Sequence, residues 1–152
     1  MRTILNCLAL VLVLSGCSKF SNQLNGDEKL EALIEAEIQA TLSANLGMVS
    51  FSELNGFEWS HLLVLAPYSP VDEIGNRLKV DLSSLRHFDI GQRDYVALLV
   101  FLDGGKPVRA VAYPRSAGDF AEIEPVLIPR QMTVFPIEAM PNGMVRMRLA
   151  GG

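Results

Sequence analysis

Residues Tyr95–Tyr113, YVALLVFLDGGKPVRAVAY, give the clearest structural signal in the chain. Its first eight residues form an uninterrupted apolar run, which is typical of a strand covered on both faces of a sheet. Asp103–Lys106, DGGK, is a strong hairpin turn. From Val108 onward, larger side chains alternate with alanines, as expected of a strand that returns antiparallel. The sequence therefore predicts a hairpin whose first strand lies at the centre of the sheet.

Three further segments favour strands. Phe57–Ala66 is apolar in its second half, and Val126–Ile137 is apolar but interrupted by Pro129. Met144–Leu149 alternates between apolar and basic residues, as in a strand with one buried face. Residues 79–93 fit either a strand or helical turns. With the hairpin, these segments predict a single antiparallel sheet of about five strands.

Two helices are expected against this sheet, which makes the fold class α+β. Asn25 and Glu28 have capping-box spacing, and Gly47 is a suitable stop for a helix of about 20 residues. The apolar stripe of this helix comprises Leu30, Leu33, Ile34, Ile38, Leu42 and Leu46. We expect the stripe to cover the sheet, the alternative being a helix that binds a partner or lies on a membrane. A short second helix is predicted from Pro70 to about Leu78, with Ser69 as its cap.

Composition indicates one globular domain and argues against nucleic acid as a partner. The chain has 152 residues, 49% of them hydrophobic and 20% charged, with a formal net charge of −4. Phosphate binding requires a basic face, and the sequence contains no basic run. The only cysteines are Cys7 and Cys17, so thiol chemistry is confined to the N-terminal segment.

That N-terminal segment has the features of an export signal. Arg2 precedes an apolar run, Ile4–Leu14, interrupted only by Asn6. The run has about half of the ~20 residues that a membrane-spanning helix needs, and its length is typical of a signal-peptide core. Ser15 and Gly16 are small, as a processing site requires.

Leu14-Ser15-Gly16-Cys17, LSGC, resembles the lipobox of bacterial lipoprotein precursors. The resemblance implies a diacylglyceryl group on the thiol of Cys17, cleavage just before it, and acylation of the new amino group. It divides the chain into a signal peptide (1–16), the lipidated cysteine with a tether (17–26) and a single α+β domain (27–152). An ordinary secretory signal cleaved nearby and an uncleaved N-terminal anchor are the alternatives.

The same resemblance implies a lipid-anchored protein of the bacterial cell envelope. Ser18, directly after the lipidated cysteine, implies the periplasmic face of the outer membrane in a host with two membranes. Further along, Trp59, a strand, Pro67–Pro70 (PYSP) and a short helix follow one another in an order similar to that of small, functionally uncharacterised bacterial exported proteins. That second resemblance implies no activity.

Residues suited to catalysis or metal binding are few and scattered. His61 and His87 have no second histidine or cysteine nearby, whereas zinc sites use ligands in tight local pairs. No G-x-S-x-G elbow and no phosphate-binding glycine loop is present. We therefore predict no metal, no cofactor and no catalytic residues.

Arginines in the C-terminal half are the remaining candidates for binding. Arg109, Arg115, Arg130, Arg146 and Arg148 lie on predicted strands or at their ends, and all of them except Arg115 are taken as candidate binding residues. If those strands are neighbours, one face of the sheet would be basic and could bind an anionic ligand or a partner. The alternative is that these side chains pair with acidic residues on a solvated face.

These features predict a membrane-anchored envelope lipoprotein that is a non-enzymatic binding or accessory protein. Its expected partners are membrane lipid, through acylated Cys17, and an envelope protein or an anionic ligand. Two alternatives stay open. One is a small envelope hydrolase with a site assembled from scattered residues around His61, His87 or the arginines. The other is an immunity-type or inhibitor lipoprotein, which small size and acidic charge would fit.

Overall fold

The structure is a computed structural model that describes residues 23–150, so Cys17 and the lipobox lie outside the described residues. The described chain contains two α-helices, seven strands and three short 3-10 helices. The helices are α1 (Glu28–Ser43) and α2 (Val71–Leu78). The strands are β1 (Met48–Ser50), β2 (His61–Leu65), β3 (Val96–Asp103), β4 (Lys106–Pro114), β5 (Ile128–Pro129), β6 (Val134–Ala139) and β7 (Val145–Met147).

The predicted hairpin is confirmed as β3 and β4 of a four-stranded antiparallel sheet with the order β4-β3-β2-β5. Val96 pairs with Pro114 and Asp103 with Lys106, and the turn glycine Gly104 has the positive φ of 53° that such a turn requires. Because β3 has neighbours on both edges and packing on both faces, seven of its eight residues are buried. This explains its continuous apolar sequence.

The prediction of one sheet of about five strands is wrong, because the strands form two sheets. The second sheet is three-stranded and antiparallel, with the order β1-β6-β7. The segment expected to be one strand over Val126–Ile137 is divided by a 3-10 helix at Arg130–Met132 into β5 and β6. Arg130 N still donates to the Ser60 carbonyl at 2.9 Å, and the 3-10 helix then carries the chain to the other sheet.

Alternation along β3 separates two apolar cores. Ala97, Leu99 and Phe101 face the first core, which contains α1 and the three-stranded sheet. Leu98, Val100 and Leu102 face the second core, which contains α2 and the 3-10 helix Ser83–Phe88. The ambiguous residues 79–93 are thus helical turns that cover the outer face of the four-stranded sheet.

Aromatic rings join the two sheets in the first core. The Phe51 and Phe135 ring centroids are 5.2 Å apart, and the Phe120 centroid lies 5.6 Å from Phe135 and 5.8 Å from Tyr113. Tilted and edge-on pairs at these distances add to the free energy gained by burial. The two sheets are therefore held together by one continuous apolar cluster.

Helix α1 is confirmed, but its start and its buried stripe differ from the prediction. Its N-cap is Asp27, whose Oδ1 accepts a hydrogen bond from Leu30 N at 3.0 Å, and not Asn25. The helix has 16 residues. Leu30, Ile34 and Ile38 are buried. The two stripe residues that are exposed are Leu33 and Leu46.

Helix α2 is confirmed with Pro70 as its N-cap and without the predicted side-chain cap from Ser69. A glycine is required at position 75, because an added Cβ would lie 2.9 Å from the carbonyl oxygen of Val80. This close approach lets the chain turn back from α2 through Lys79, which has a φ of 58°. Within residues 23–150, no helix is both long enough and apolar enough to cross a membrane.

Candidate functional site

Two of the four candidate arginines meet at β7, with Arg146 inside the strand and Arg148 directly after it. Arg146 and Arg148 project from the face opposite the buried Met147, as the alternating sequence predicts. Arg146 Nη1 lies 3.3 Å from Glu122 Oε1, and Arg148 Nη2 lies 3.0 Å from Glu138 Oε2. Two guanidinium groups thus face two carboxylates, and their charges cancel. This cluster is poorly suited to capturing a free anion.

Beside this cluster lies a shallow groove with an apolar floor. Its lining residues are Glu122, Ile123, Glu124, Val126, Arg148 and Leu149. Val126 is 38% exposed, and the charged side chains form the rim. An apolar floor with a charged rim resembles the arrangement of protein–protein contact surfaces.

Arg109 lies on β4 in the other sheet. Its Nε is 3.3 Å from Asp27 Oδ2, and its guanidinium group stands 5.6 Å from the centroid of the Phe57 ring. Arg109 thereby links the cap of α1 to β4. Its charge is partly compensated by the carboxylate that caps the helix.

The contacts of Arg130 are of a kind that stabilises the fold. Its guanidinium group lies 4.8 Å from the Trp59 ring centroid, and it donates hydrogen bonds to the carbonyl oxygens of Ser52 at 2.7 Å and Leu54 at 3.0 Å. A third bond reaches Asn55 Oδ1 at 3.2 Å. Arg130 therefore fastens the loop after β1 to Trp59, whose own Nε1 donates to the Leu54 carbonyl.

The four arginines consequently occupy three separate places. Arg146 of β7 and the following Arg148 lie together, while Arg109 and Arg130 are each bound elsewhere to residues of the same chain. The strands β4 and β7 belong to different sheets, so the condition for a shared basic face is not met. In the described residues, the candidate arginines pair with acidic or carbonyl groups.

The histidines do not assemble a catalytic group within residues 23–150. His61 Nδ1 lies 3.0 Å from Ser60 Oγ, but Ser60 Oγ donates its proton to the Leu102 carbonyl at 3.2 Å. His87 packs its ring 4.4 Å from that of Phe88. Neither histidine forms an ion pair with a carboxylate in this part of the chain, so neither is oriented as in a catalytic triad. The same range holds no group of three potential metal ligands.

Arg115, the fifth arginine on a predicted strand end, forms an ion pair with Asp119 that the sequence did not predict. Arg115 donates from Nε and Nη2 to the two carboxylate oxygens at 2.9 and 2.8 Å. These bonds hold the pKa of Asp119 below its ordinary value of 3.8. The backbone of Asp119 also bonds to Val145 and Met147 of β7, so the pair fastens the turn after β4 to the second sheet.

Tyr113 is the most perturbed titratable group described. Burial raises its pKa to about 12, and the charges of Glu35 and Glu31 act in the same direction. Its hydroxyl group is buried and has no hydrogen-bond partner among the described residues. No signal in the sequence distinguishes this tyrosine from any other on an alternating strand.

In comparisons with known proteins, no family model, no curated protein and no solved structure matches the chain. The chain is an α+β protein with two antiparallel sheets.

Proposed function

We propose that the protein is a bacterial envelope lipoprotein, anchored through lipid on Cys17, whose folded domain binds a protein partner without catalysing a reaction. The observation that carries the proposal is the order of Ile4–Leu14 and LSGC: an apolar run of signal-peptide length, two small residues and a cysteine. Two or more acyl chains give stable membrane attachment, at about 0.8 kcal/mol for each buried CH₂ group.

Binding of a protein is favoured over binding of a free anion by the surface of the second sheet. The guanidinium groups of Arg146 and Arg148 are neutralised by Glu122 and Glu138, which lowers the attraction for a mobile anion. The adjacent groove offers apolar area, at Val126 and Leu149, inside a charged rim. Such a surface can bury apolar side chains of a partner while its rim sets the orientation.

Lipidation is tested by comparing the wild-type protein with Cys17→Ala and Cys7→Ala in a bacterial host. We expect palmitate labelling and partition into the Triton X-114 detergent phase for the wild type and Cys7→Ala, and no palmitate label on Cys17→Ala. Cys7→Ala is the matched control because it removes the other thiol of the chain. Undiminished label in Cys17→Ala, or a wild-type protein in the aqueous phase with an unmodified N-terminus by mass spectrometry, would contradict the proposal.

A further inference from the structure

The described part of the chain begins at one end of the four-stranded sheet. Leu24 donates its N–H to the Ser84 carbonyl at 3.1 Å and packs against the second core. Two residues later, Gly26 bridges to Ala110 of β4. Leu24 and Ser84 line one cleft together with Lys106, the first residue of β4. We call this surface, formed by Leu24, Ser84 and the turn Asp103–Lys106, the hairpin end.

The opposite end of the same sheet carries different residues. Strand β3 runs from Val96 to Asp103, about 24 Å at the rise of an antiparallel strand. At its start, Arg115 donates its N–H to the Tyr95 carbonyl at 3.0 Å, and Pro114 pairs with Val96. We call the surface of Tyr95, Pro114, Arg115 and Ser116 the proline end. The hairpin end and the proline end are thus separated by about the length of β3.

The distance from the proposed lipid to the folded domain is short. Leu24 follows Cys17 by seven residues, which span at most about 25 Å when fully extended. This reach is about equal to the length of β3. Because the tether joins the domain at Leu24, many conformations of the tether allow the hairpin end to reach the bilayer. With the strands upright on the bilayer, the proline end could face the lipid only if the tether ran fully extended back along the sheet.

We infer that the hairpin end faces the phospholipid headgroups and that the proline end points away from the membrane. The inference rests on the lipidation of Cys17 proposed above. Charges of both signs lie at the hairpin end, where Asp81, Asp103 and Lys106 are exposed. The orientation is therefore set by the short tether and not by attraction to anionic lipid, so it is independent of salt concentration.

The orientation is tested by energy transfer from single labelled positions to the bilayer. Lys106→Cys and Ser116→Cys place a thiol at the hairpin end and the proline end, and both native residues are exposed. In the mature lipoprotein the new thiol is the only reactive one, because Cys7 leaves with the signal and Cys17 is a thioether. Each lipidated variant is labelled with a maleimide dye and added to phosphatidylethanolamine and phosphatidylglycerol vesicles that carry a headgroup-linked acceptor.

We expect at least roughly twofold more transfer from position 106 than from position 116, given the separation of about 24 Å, and the same ratio at low and high salt. A Gly/Ser insertion of about 20 residues after Ser18 should abolish the difference. Equal or reversed transfer in protein that floats with the vesicles would overturn the orientation and leave the lipid anchor intact. A difference that survives the insertion would overturn the tether as its cause. Protein that does not float would overturn the anchor itself.

Discussion

The role of each arginine in this domain depends on the aromatic rings, carbonyl groups and carboxylates that surround its side chain. Composition alone does not predict these neighbours. Arg130 and Arg148 are both near strand ends in the sequence. Arg130 stacks on Trp59 and donates to two backbone carbonyls, while the Arg148 side chain is 55% exposed in an ion pair. The first arrangement uses the flat, multiply donating shape of guanidinium, and the second uses only its charge.

Arg130→Ala should lower the free energy of unfolding by about 2–3 kcal/mol, because it removes three charge-assisted hydrogen bonds, two of them to backbone carbonyls, and the contact with Trp59. Arg130→Lys should recover less than half of the loss, since one ammonium group cannot satisfy both carbonyls and stack on the ring. Urea unfolding followed by the fluorescence of Trp59, the only tryptophan, and by circular dichroism measures both. Arg148→Ala is the control and should cost no more than about 1 kcal/mol. Equal stability of the Arg130→Ala and Arg148→Ala variants would contradict a structural role for Arg130.

Asp119 should make part of the stability depend on pH. Its pKa in the folded protein is lower than 3.8, the ordinary value that applies to the unfolded chain. The carboxylate therefore contributes stability at neutral pH, and this contribution begins to disappear near the ordinary value and is lost as the pH falls through the depressed one. Asp119→Asn should be less stable than the wild type by about 1–2 kcal/mol near neutrality.

The difference between Asp119→Asn and the wild type should shrink as the pH falls below about 4. Urea unfolding at a series of pH values measures this convergence. Asp72→Asn, in an exposed pair with Arg86, is the matched control and should cost under about 1 kcal/mol near neutral pH. A constant difference between the wild type and Asp119→Asn down to acid pH would show that the carboxylate does not act through its charge.

At the scale of elements, the sequence was sufficient wherever one local signal dominated. The β3–β4 hairpin follows from its apolar run and the DGGK turn, and the alternation of β7 places Met147 inside. The prediction of one strand over Val126–Ile137 is wrong, because a long apolar stretch does not indicate which sheet each of its halves joins. Nor could spacing alone show that Arg109 lies beside Asp27, since that contact depends on how α1 crosses the sheet.

The cap of α1 provides a direct test between the sequence interpretation and the structure. Asp27→Ala removes the hydrogen bond to Leu30 N and the contact with Arg109, and should cost about 1–2 kcal/mol. Asn25→Ala is the matched control and should leave the stability within about 0.5 kcal/mol. Thermal unfolding followed by circular dichroism at the helical band measures the stability of both variants. Equal losses in the two variants would favour the capping box predicted from Asn25 and Glu28.

At the scale of the whole molecule, one buried sheet connects two cores, and the N-terminal chain is attached to both. Leu24 packs in the second core, whereas α1, only four residues further on, packs in the first. Gly26 and Asp27 cross the edge of β4 between them, and Asp27 N donates to the Ala110 carbonyl at 2.9 Å. The folded domain therefore begins before its first helix, and this shortens the tether to the proposed lipid.

The start of the folded domain is located by comparing three truncated variants, expressed without the signal peptide. They start at Ser18, Gln23 and Glu28. We expect the first two to agree within about 0.5 kcal/mol in urea unfolding, because the described contacts begin at Leu24. The chain that starts at Glu28 should be less stable by at least about 2 kcal/mol, since it lacks the cap from Asp27, the bonds to Ser84 and Ala110, and the packing of Leu24. A loss on removing 18–22 would instead make those residues part of the folded domain. The lipid would then be attached closer still to the hairpin end, and the estimated reach of about 25 Å would be too long.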